Sequence, residues 1–194
     1  TRMAQYICAA DPKARVATIP GPSGLAWNQQ RFDAFRDALS AGCPQARLYG
    51  NLYRLNLDVT HGQVQAADLI VKFPQANFVY AAAGTLADGA ANVRSRMRHG
   101  APIVTAGLTR HSASNLDAGH IGLAVSEPGI LIGRLAVQYA IRVVEKKNLP
   151  GSISAPQTYP TVFAPNVSIT RGLLQEYDVE SYDLAPADWT LPAG

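Results

Sequence analysis

Charge is the scarcest feature of this 194-residue chain. It contains 17 Lys and Arg and 14 Asp and Glu, so 16% of its residues are charged, whereas an average soluble domain has roughly 25%. The positive residues are scattered, apart from Arg94, Arg96 and Arg98, and a net charge of +3 is weak evidence for nucleic-acid binding. A hydrophobic content of 47% excludes a disordered chain and predicts a large buried core.

Long apolar runs are absent and cysteine is rare. No apolar stretch approaches the roughly 20 residues of a membrane-spanning helix, so the sequence predicts a soluble globular protein. Cys8 and Cys43 form no CxxC motif, which argues against a zinc site or a dithiol redox site. They could pair only if the fold brought them together, and two buried free thiols are the expectation. The start at Thr1 is typical of a processed or truncated product.

Segments with strand and helix periodicity alternate along the chain. The predicted strands cover residues 15–20, 46–52, 77–82, 103–106 and 121–125. The predicted helices cover about 28–41 with Asn28 as N-cap and Phe32, Phe35 and Leu39 on the core, 61–73 with Val64, Ala67 and Val71 on one face, 86–100 with Arg94, Arg96 and Arg98 mostly solvated, and 129–147. Strands separated by helices of this length imply right-handed βαβ units and a parallel sheet.

A proline-rich tail follows Gly151. Its clear strand is 159–164, and the remainder predicts a meander that packs on the sheet without a sixth βα unit.

Ligands of parallel sheets bind at the loops that follow the strands, here 21–28, 83–86 and 107–115. Gly21-Pro-Ser-Gly24 lacks the Lys and Ser/Thr of a P-loop, so a plain strand-to-helix turn is favoured over a phosphate site. Trp27, at the end of this loop, either stacks on a ring or cation of a ligand or buries against the sheet edge. Both interpretations stay open on the residues alone.

Several stretches, in this order and spacing, resemble the type I periplasmic binding proteins, the ribose-binding and LacI-like group. They are Val16-Ala-Thr-Ile-Pro-Gly-Pro-Ser-Gly24, Trp27, Arg31-Phe-Asp-Ala-Phe35, Ala83-Gly-Thr-Leu-Ala-Asp-Gly-Ala90, Ile103-Val-Thr-Ala-Gly107, Ala124-Val-Ser-Glu-Pro128 and Gly133-Arg-Leu-Ala-Val137. The resemblance covers residues 3 to about 165. It implies an α/β fold with a parallel sheet sandwiched by helices, in which two lobes joined by three hinge strands hold a ligand between them.

The resemblance implies that this chain is the C-terminal part of such a protein, with most of the N-terminal lobe absent. Residues 1–126 then form the C-terminal α/β lobe, 127–150 a crossover helix that packs on the N-terminal lobe of the same protein, and 151–194 a return strand and the tail. The broad apolar face of the crossover helix, which has no sheet of its own to cover it, agrees with this division.

The sugar-binding branch of the family carries Arg, Asn, Asp and Gln at four ligand positions, which the resemblance places on Gln29, Ala83, Gly107 and Ser126. All four are replaced by smaller or uncharged groups, so an ordinary sugar is not the expected ligand. Gly21-Pro-Ser-Gly24 followed by Trp27 is similar to proteins of the TorT type, periplasmic sensors of trimethylamine N-oxide. That similarity implies an aromatic pocket for a small methylated ligand, although Leu108 stands where an aromatic residue is expected.

The resemblance therefore predicts a non-enzymatic periplasmic protein that captures a small molecule and signals to a membrane sensor kinase or an ABC permease, without cofactor, metal or nucleic acid. The expected ligand contacts are Trp27, Gln29, Ala83, Thr85, Leu108, Ser126 and Glu127. The alternatives are the effector-binding domain of a LacI-type transcriptional regulator and the sugar-binding component of an ABC transporter. A small α/β hydrolase or transferase is disfavoured because no nucleophile and base can be named.

Overall fold

A computed structural model describes residues 1–50, 56–96, 100–148 and 166–185. In these ranges strands and helices alternate as the sequence predicts. The strands are β1 (Arg15–Ile19), β2 (Arg47–Tyr49), β3 (Phe78–Ala81), β4 (Ile103–Ala106), β5 (Ile121–Val125) and β6 (Ser168–Ile169). The helices are α1 (Arg2–Ala10), α2 (Ala26–Gly42), α3 (Val59–Lys72), α4 (Gly84–Val93), α5 (Arg110–Asp117), α6 (Gly129–Val144), α7 (Arg171–Leu174) and α8 (Val179–Tyr182).

The strands form one sheet in the order β2-β1-β3-β4-β5-β6. The first five are parallel, with Val16 opposite Phe78 and Val79 opposite Ile103. β6 runs antiparallel to β5. The predicted α/β fold with a mostly parallel sheet flanked by helices is confirmed. The antiparallel edge strand was not predicted at Ser168–Ile169, because two residues are too few to show a strand pattern.

The core lies between the sheet and the helices that flank it, α1 to α5. All residues of β3 and β4 are buried, as expected for parallel strands covered on both faces. Phe35 stacks on Tyr80 with 4.3 Å between ring centroids, and Phe32 lies 5.5 Å from the same ring. The apolar face predicted for this helix, Phe32, Phe35 and Leu39, is therefore confirmed.

The apolar face predicted for α3 is wrong. Val64 is 57% exposed and Val71 is 80% exposed, whereas the buried residues are Gly62, Ala66 and Leu69. A Cβ on Gly62 would lie 2.4 Å from the backbone oxygen of Leu86 in α4. The two helices thus approach through small residues, and close backbone contact rather than the largest side chains decides which face of α3 is buried.

Four of the described helices lie outside the predicted set, and α5 and α1 are longer than the other two, α7 and α8. α5 occupies much of the predicted 107–115 loop, and it begins with a reciprocal cap in which Thr109 and Ser112 satisfy each other's backbone N–H. α1 precedes the first predicted strand and buries Met3, Ala4 and Ile7. Both helices are short, so neither offers the length over which an apolar period is distinctive.

Cys8 and Cys43 form a disulfide, which corrects the expectation of two free thiols. The bond joins α1 to the residue that ends α2, across a sequence separation of 35. Without α1 in the prediction, no element placed Cys8 near the end of α2. In the structure its sulfur lies so close to Gly42 that a Cβ there would be 3.3 Å away.

The remaining differences concern element ends. The helix predicted for 86–100 ends at Val93 and continues as a short 3₁₀ turn, Arg94–Arg96. Arg94 is half-buried and its guanidinium donates to the carbonyl of Gly100. The prediction that Arg94 lies on the solvated side of the helix is therefore wrong. The predicted strand 159–164 and Arg98 lie outside the described residues.

Candidate ligand site at the carboxyl edge of the sheet

Four strands end side by side at one edge of the sheet. The N–H of Ala82, just after β3, donates to the carbonyl of Ile19 at the end of β1 (3.0 Å). The N–H of Gly107, just after β4, donates to the carbonyl of Val125 at the end of β5 (2.8 Å). The segments that follow these strands therefore start next to one another, as the parallel topology predicts.

The loop after β1 is held by Asn28. This side chain is fully buried, and its amide donates to the carbonyls of Pro20 (2.6 Å) and Pro22 (3.0 Å). The structure thus corrects the prediction of Asn28 as N-cap, because the N-cap is Leu25 and Asn28 lies inside the helix. Its role is to tie the loop to the first turn of α2.

Trp27 lies in that first turn and is 43% exposed. One face of its indole is covered by Arg31, whose guanidinium carbon lies 4.8 Å from the ring centroid. A cation in this position is attracted by the negative face of the ring. Trp27 is therefore neither buried in the core nor wholly free, since part of its surface is available to a ligand.

Arg31 links three of the four segments. Besides its contact with Trp27, it donates to the carbonyl of Ala82 (2.7 Å) and forms an ion pair with the carboxylate of Glu127. Burial lowers the pKa of Arg31 below its ordinary value. A partly desolvated guanidinium requires a counter-charge, and Glu127 supplies it.

Glu127 fills the space above Gly107. A Cβ on Gly107 would lie 3.1 Å from the Oε2 atom of Glu127. Gly107 also has a φ of +75°, a conformation that favours glycine. The absence of a side chain at position 107 thus leaves room for the carboxylate of Glu127, whose side chain is 43% exposed.

The predicted contact residues are brought together only in part. Trp27 and Glu127 meet through Arg31, and Ala83 follows Ala82, which Arg31 also contacts. The other predicted residues are occupied elsewhere. Gln29 is exposed and lies 3.5 Å from Asp33, Thr85 donates to the carbonyl of Leu57 (2.9 Å), and Leu108 is buried in the core.

Ser126 is fully buried, and its hydroxyl is engaged by the C-terminal segment. The Oγ atom lies 2.9 and 3.0 Å from the two carboxylate oxygens of Asp183 and 2.9 Å from the hydroxyl of Tyr177. These contacts direct the side chain toward residues 166–185 rather than toward Arg31.

Arg31 is the residue that sequence reasoning missed. It follows Trp27 by four positions, the spacing at which two side chains share a helix face. The predicted helix began only at residue 28 and left Trp27 in the loop, whereas α2 begins at Ala26 and includes both residues. Asp183 and Tyr177 gave no such signal, because they belong to the tail and reach the site only through the fold.

The described ranges contain neither a metal-ligating cluster nor a membrane-spanning helix. No three His, Cys, Asp or Glu side chains there form a group that would hold a metal ion. None of the helices in these ranges has both the length and the apolar character needed to span a membrane.

Similarity to known proteins comes from solved structures. Neither protein-family models nor curated sequences match the chain. A sugar ABC transport substrate-binding protein from Bordetella parapertussis superposes with a TM-score of 0.88 at 25% identity, covering 98% of this chain and 60% of that one. A solute-binding protein from Actinobacillus succinogenes with bound D-allose gives 0.74 at 15%, covering 90% and 59%. The arabinose-binding protein AraP from Geobacillus stearothermophilus gives 0.73 at 14%, covering 90% and 60%.

These similarities confirm the fold as that of type I periplasmic binding proteins. The chain spans about 60% of the length of the Bordetella protein.

Proposed function

We propose that this chain is part of a non-enzymatic solute-binding protein that takes a small molecule at the carboxyl edge of its sheet. The observation that carries the proposal is the cluster of Trp27, Arg31 and Glu127, where an aromatic face, a cation and a carboxylate meet at the ends of neighbouring strands. A few convergent polar groups beside an apolar surface are typical of ligand sites. The fold and the names of its solved neighbours support the same role.

The cluster fits a neutral, polyhydroxylated ligand such as a monosaccharide. Arg31 and Glu127 neutralise each other, yet together they offer N–H donors and carboxylate acceptors for hydroxyl groups. The half-exposed indole of Trp27 provides a flat surface for the apolar face of a sugar ring. The neighbours with bound D-allose and with an arabinose-binding name support this class. The replaced residues at the four family positions then mean a different set of contacts rather than no sugar.

A methylated amine oxide, as sensed by TorT-type proteins, is the second candidate ligand. The exposed part of Trp27 favours it, because an indole face attracts methylated ammonium groups. Arg31 argues against it, since one face of the indole already has a cation and a second cation nearby is repelled. We therefore place it behind the sugar.

We also propose that an N-terminal lobe of the same protein covers α6. No residue of this helix is buried, although it is rich in apolar side chains. The exposed ones are Ile132, Val137, Ile141, Val143 and Val144. Only 60% of the Bordetella chain is matched by this one, so a second lobe in the remainder provides a natural cover. Residues 124–128 then form part of the hinge.

The periplasm is the proposed location and an ABC permease the proposed membrane partner. The Cys8–Cys43 disulfide supports an oxidising compartment. The neighbours are named as components of ABC transport systems. A membrane sensor kinase is the partner that a TorT-type ligand would imply instead.

Thermal unfolding with D-allose, D-arabinose and trimethylamine N-oxide tests the proposal. At a ligand concentration of 100 times Kd, binding stabilises by about 2.7 kcal/mol, which in a chain of this size raises Tm by roughly 5–10 °C. We expect this shift with a sugar, its loss in Trp27→Ala, and its retention in Val71→Ala, which removes exposed apolar surface on α3. A shift with trimethylamine N-oxide alone would replace the sugar, and no shift with any of the three contradicts the proposal.

A further inference from the structure

A buried polar cluster joins the C-terminal segment to the end of β5. Asp183, 8% exposed, accepts hydrogen bonds from the hydroxyls of Ser126 (2.9 Å) and Tyr177 (2.6 Å). It also accepts one from the backbone N–H of Glu127 (3.1 Å). Three donors therefore converge on one carboxylate, and they come from both sides of the contact between residues 126–127 and the tail.

The backbone around Ser126 is held by the same tail. Its N–H donates to the carbonyl of Val167 (2.8 Å), and its carbonyl accepts from the side chain of Asn166 (2.7 Å). The N–H of Glu127 donates to Asp183. The N–H and carbonyl of Ser126 and the N–H of Glu127 are thus all bonded to residues 166–185. The path of the chain at this point is thus set by the tail rather than by the parallel strands.

Glu127 carries this restraint to the candidate ligand site. Its backbone is fixed by Asp183, and its side chain pairs with Arg31, which in turn covers Trp27. We propose that Asp183 is a positioning residue, which fixes the Ser126–Glu127 backbone and thereby holds Arg31 on the face of Trp27. The inference rests on the proposed function insofar as Trp27, Arg31 and Glu127 face a ligand.

The chemistry of the cluster suits a fixed support. Burial, and then the hydrogen bond to Asp183, raise the pKa of Tyr177 to about 12. Tyr177 is therefore protonated at neutral pH and remains a donor. A buried carboxylate with several donors is costly to disturb, because removing it leaves those donors unsatisfied. Ser126 and Tyr177 belong to this support.

Fluorescence of Trp27 measures the coupling without any ligand. In a Trp189→Phe background, Trp27 is the only tryptophan of the chain, and acrylamide quenching reports the exposure of its indole. We expect Asp183→Ala to raise the quenching constant toward that of Arg31→Gln. Asp183→Asn, which keeps an acceptor for the N–H of Glu127, should remain closer to the unsubstituted chain, and Tyr177→Phe should give a smaller change.

Asp178→Ala is the matched control. Asp178 is an acidic residue of the same tail that caps α8 through the N–H of Ser181. Its loss weakens α8 without removing a bond to Ser126 or Glu127, so Trp27 quenching should stay unchanged. Equal effects of Asp178→Ala and Asp183→Ala would overturn the proposal, since the tail would then act only through general stability. If Asp183→Ala does not fold, unchanged quenching in Tyr177→Phe, which removes a donor to Asp183, overturns it as well.

Binding of D-allose separates this inference from the proposed function. We expect Asp183→Ala to weaken binding by about tenfold, which corresponds to 1.4 kcal/mol, and Asp178→Ala to leave it unchanged. Equal affinity of the unsubstituted chain and Asp183→Ala contradicts the positioning role while the solute-binding role stands. If neither D-allose, D-arabinose nor trimethylamine N-oxide binds the unsubstituted chain, the function fails, and altered Trp27 quenching still supports the coupling.

Discussion

α2 and α6 are helices of almost equal length, 17 and 16 residues, with opposite environments. α2 buries Phe32, Phe35 and Leu39 against the sheet, and Asn28 beneath the loop that it holds. α6 has more apolar residues and buries none. The difference shows that apolar content alone does not determine burial. α2 has a sheet beneath it, whereas α8 contacts α6 without burying any of its residues.

The largest expected effect on stability comes from truncating a buried side chain of α2. Phe35→Ala removes a fully buried ring stacked on Tyr80 and should lower the free energy of unfolding by about 3–5 kcal/mol. Ile141→Ala, on α6, removes a side chain that is 47% exposed and should change it by roughly 0.5 kcal/mol or less. Urea unfolding followed by circular dichroism measures both. Similar losses would show that α6 is packed in solution.

Opening the Cys8–Cys43 disulfide should have the next largest effect. It links α1 to the end of α2 across a sequence separation of 35. In the chain-entropy description, a cross-link that closes a loop of this size stabilises the folded protein by about 3–4 kcal/mol. We expect Cys8→Ser, and equally the chain in excess dithiothreitol, to unfold at lower urea than the oxidised chain. No additional effect of dithiothreitol on Cys8→Ser is the internal control, and equal stability of the reduced and oxidised chains contradicts the expectation.

Glycine-to-alanine substitutions in a buried helix and in α6 should change stability in opposite directions. A Cβ on Gly89 of α4 would lie 2.1 Å from the backbone oxygen of Val59, whereas nothing lies within 4 Å of one on Gly133 of α6. Gly89→Ala should therefore destabilise by about 1–3 kcal/mol. Gly133→Ala should stabilise by roughly 0.5–1 kcal/mol, because alanine favours the helix. Loss of stability in Gly133→Ala would indicate a close neighbour of α6 in solution.

The smallest expected effect on stability comes from Asp88, a buried acidic residue of α4; α6 buries no residue at all. Burial raises the pKa of Asp88 above its ordinary value, against the opposing hydrogen bonds from Thr109 and Asn115. The folded chain therefore holds this proton more tightly than the unfolded chain, so the contribution of Asp88 to stability falls as pH rises through the folded pKa. Relative to Asp88→Asn, the unsubstituted chain should gain stability as pH falls from neutral toward about 4. A pH-independent difference contradicts this prediction.

The fold was predictable where the apolar pattern and the packing agree. Buried strands such as β3 and β4 read as apolar runs, and α2 repeats its large residues at helical spacing. α3 shows the limit of such reasoning. Its glycine contact with α4 requires knowledge of which helix lies beside it, and a periodicity rule prefers the larger valines.

The candidate site was predictable to a smaller extent. Trp27 follows from its position at the end of the loop after a parallel strand, whereas Glu127 was predicted only through the family resemblance and Arg31 was not predicted. The engagement of Ser126 by Asp183 was not, because it depends on a contact across 57 positions of sequence. Hydrogen bonds at such separations leave no local pattern, so a serine beside a ligand edge cannot be distinguished from one that supports it.

The antiparallel pairing of β6 with β5 has a mechanical consequence. The chain leaves the sheet after Val125 and re-enters it at Ser168, directly beside its point of departure. Two crossings that share hydrogen bonds resist sliding and twisting against each other, but they bend together as a narrow ribbon. The two crossings therefore act as one support, and the bonds that hold the backbone of Ser126 and Glu127 lie directly beside it.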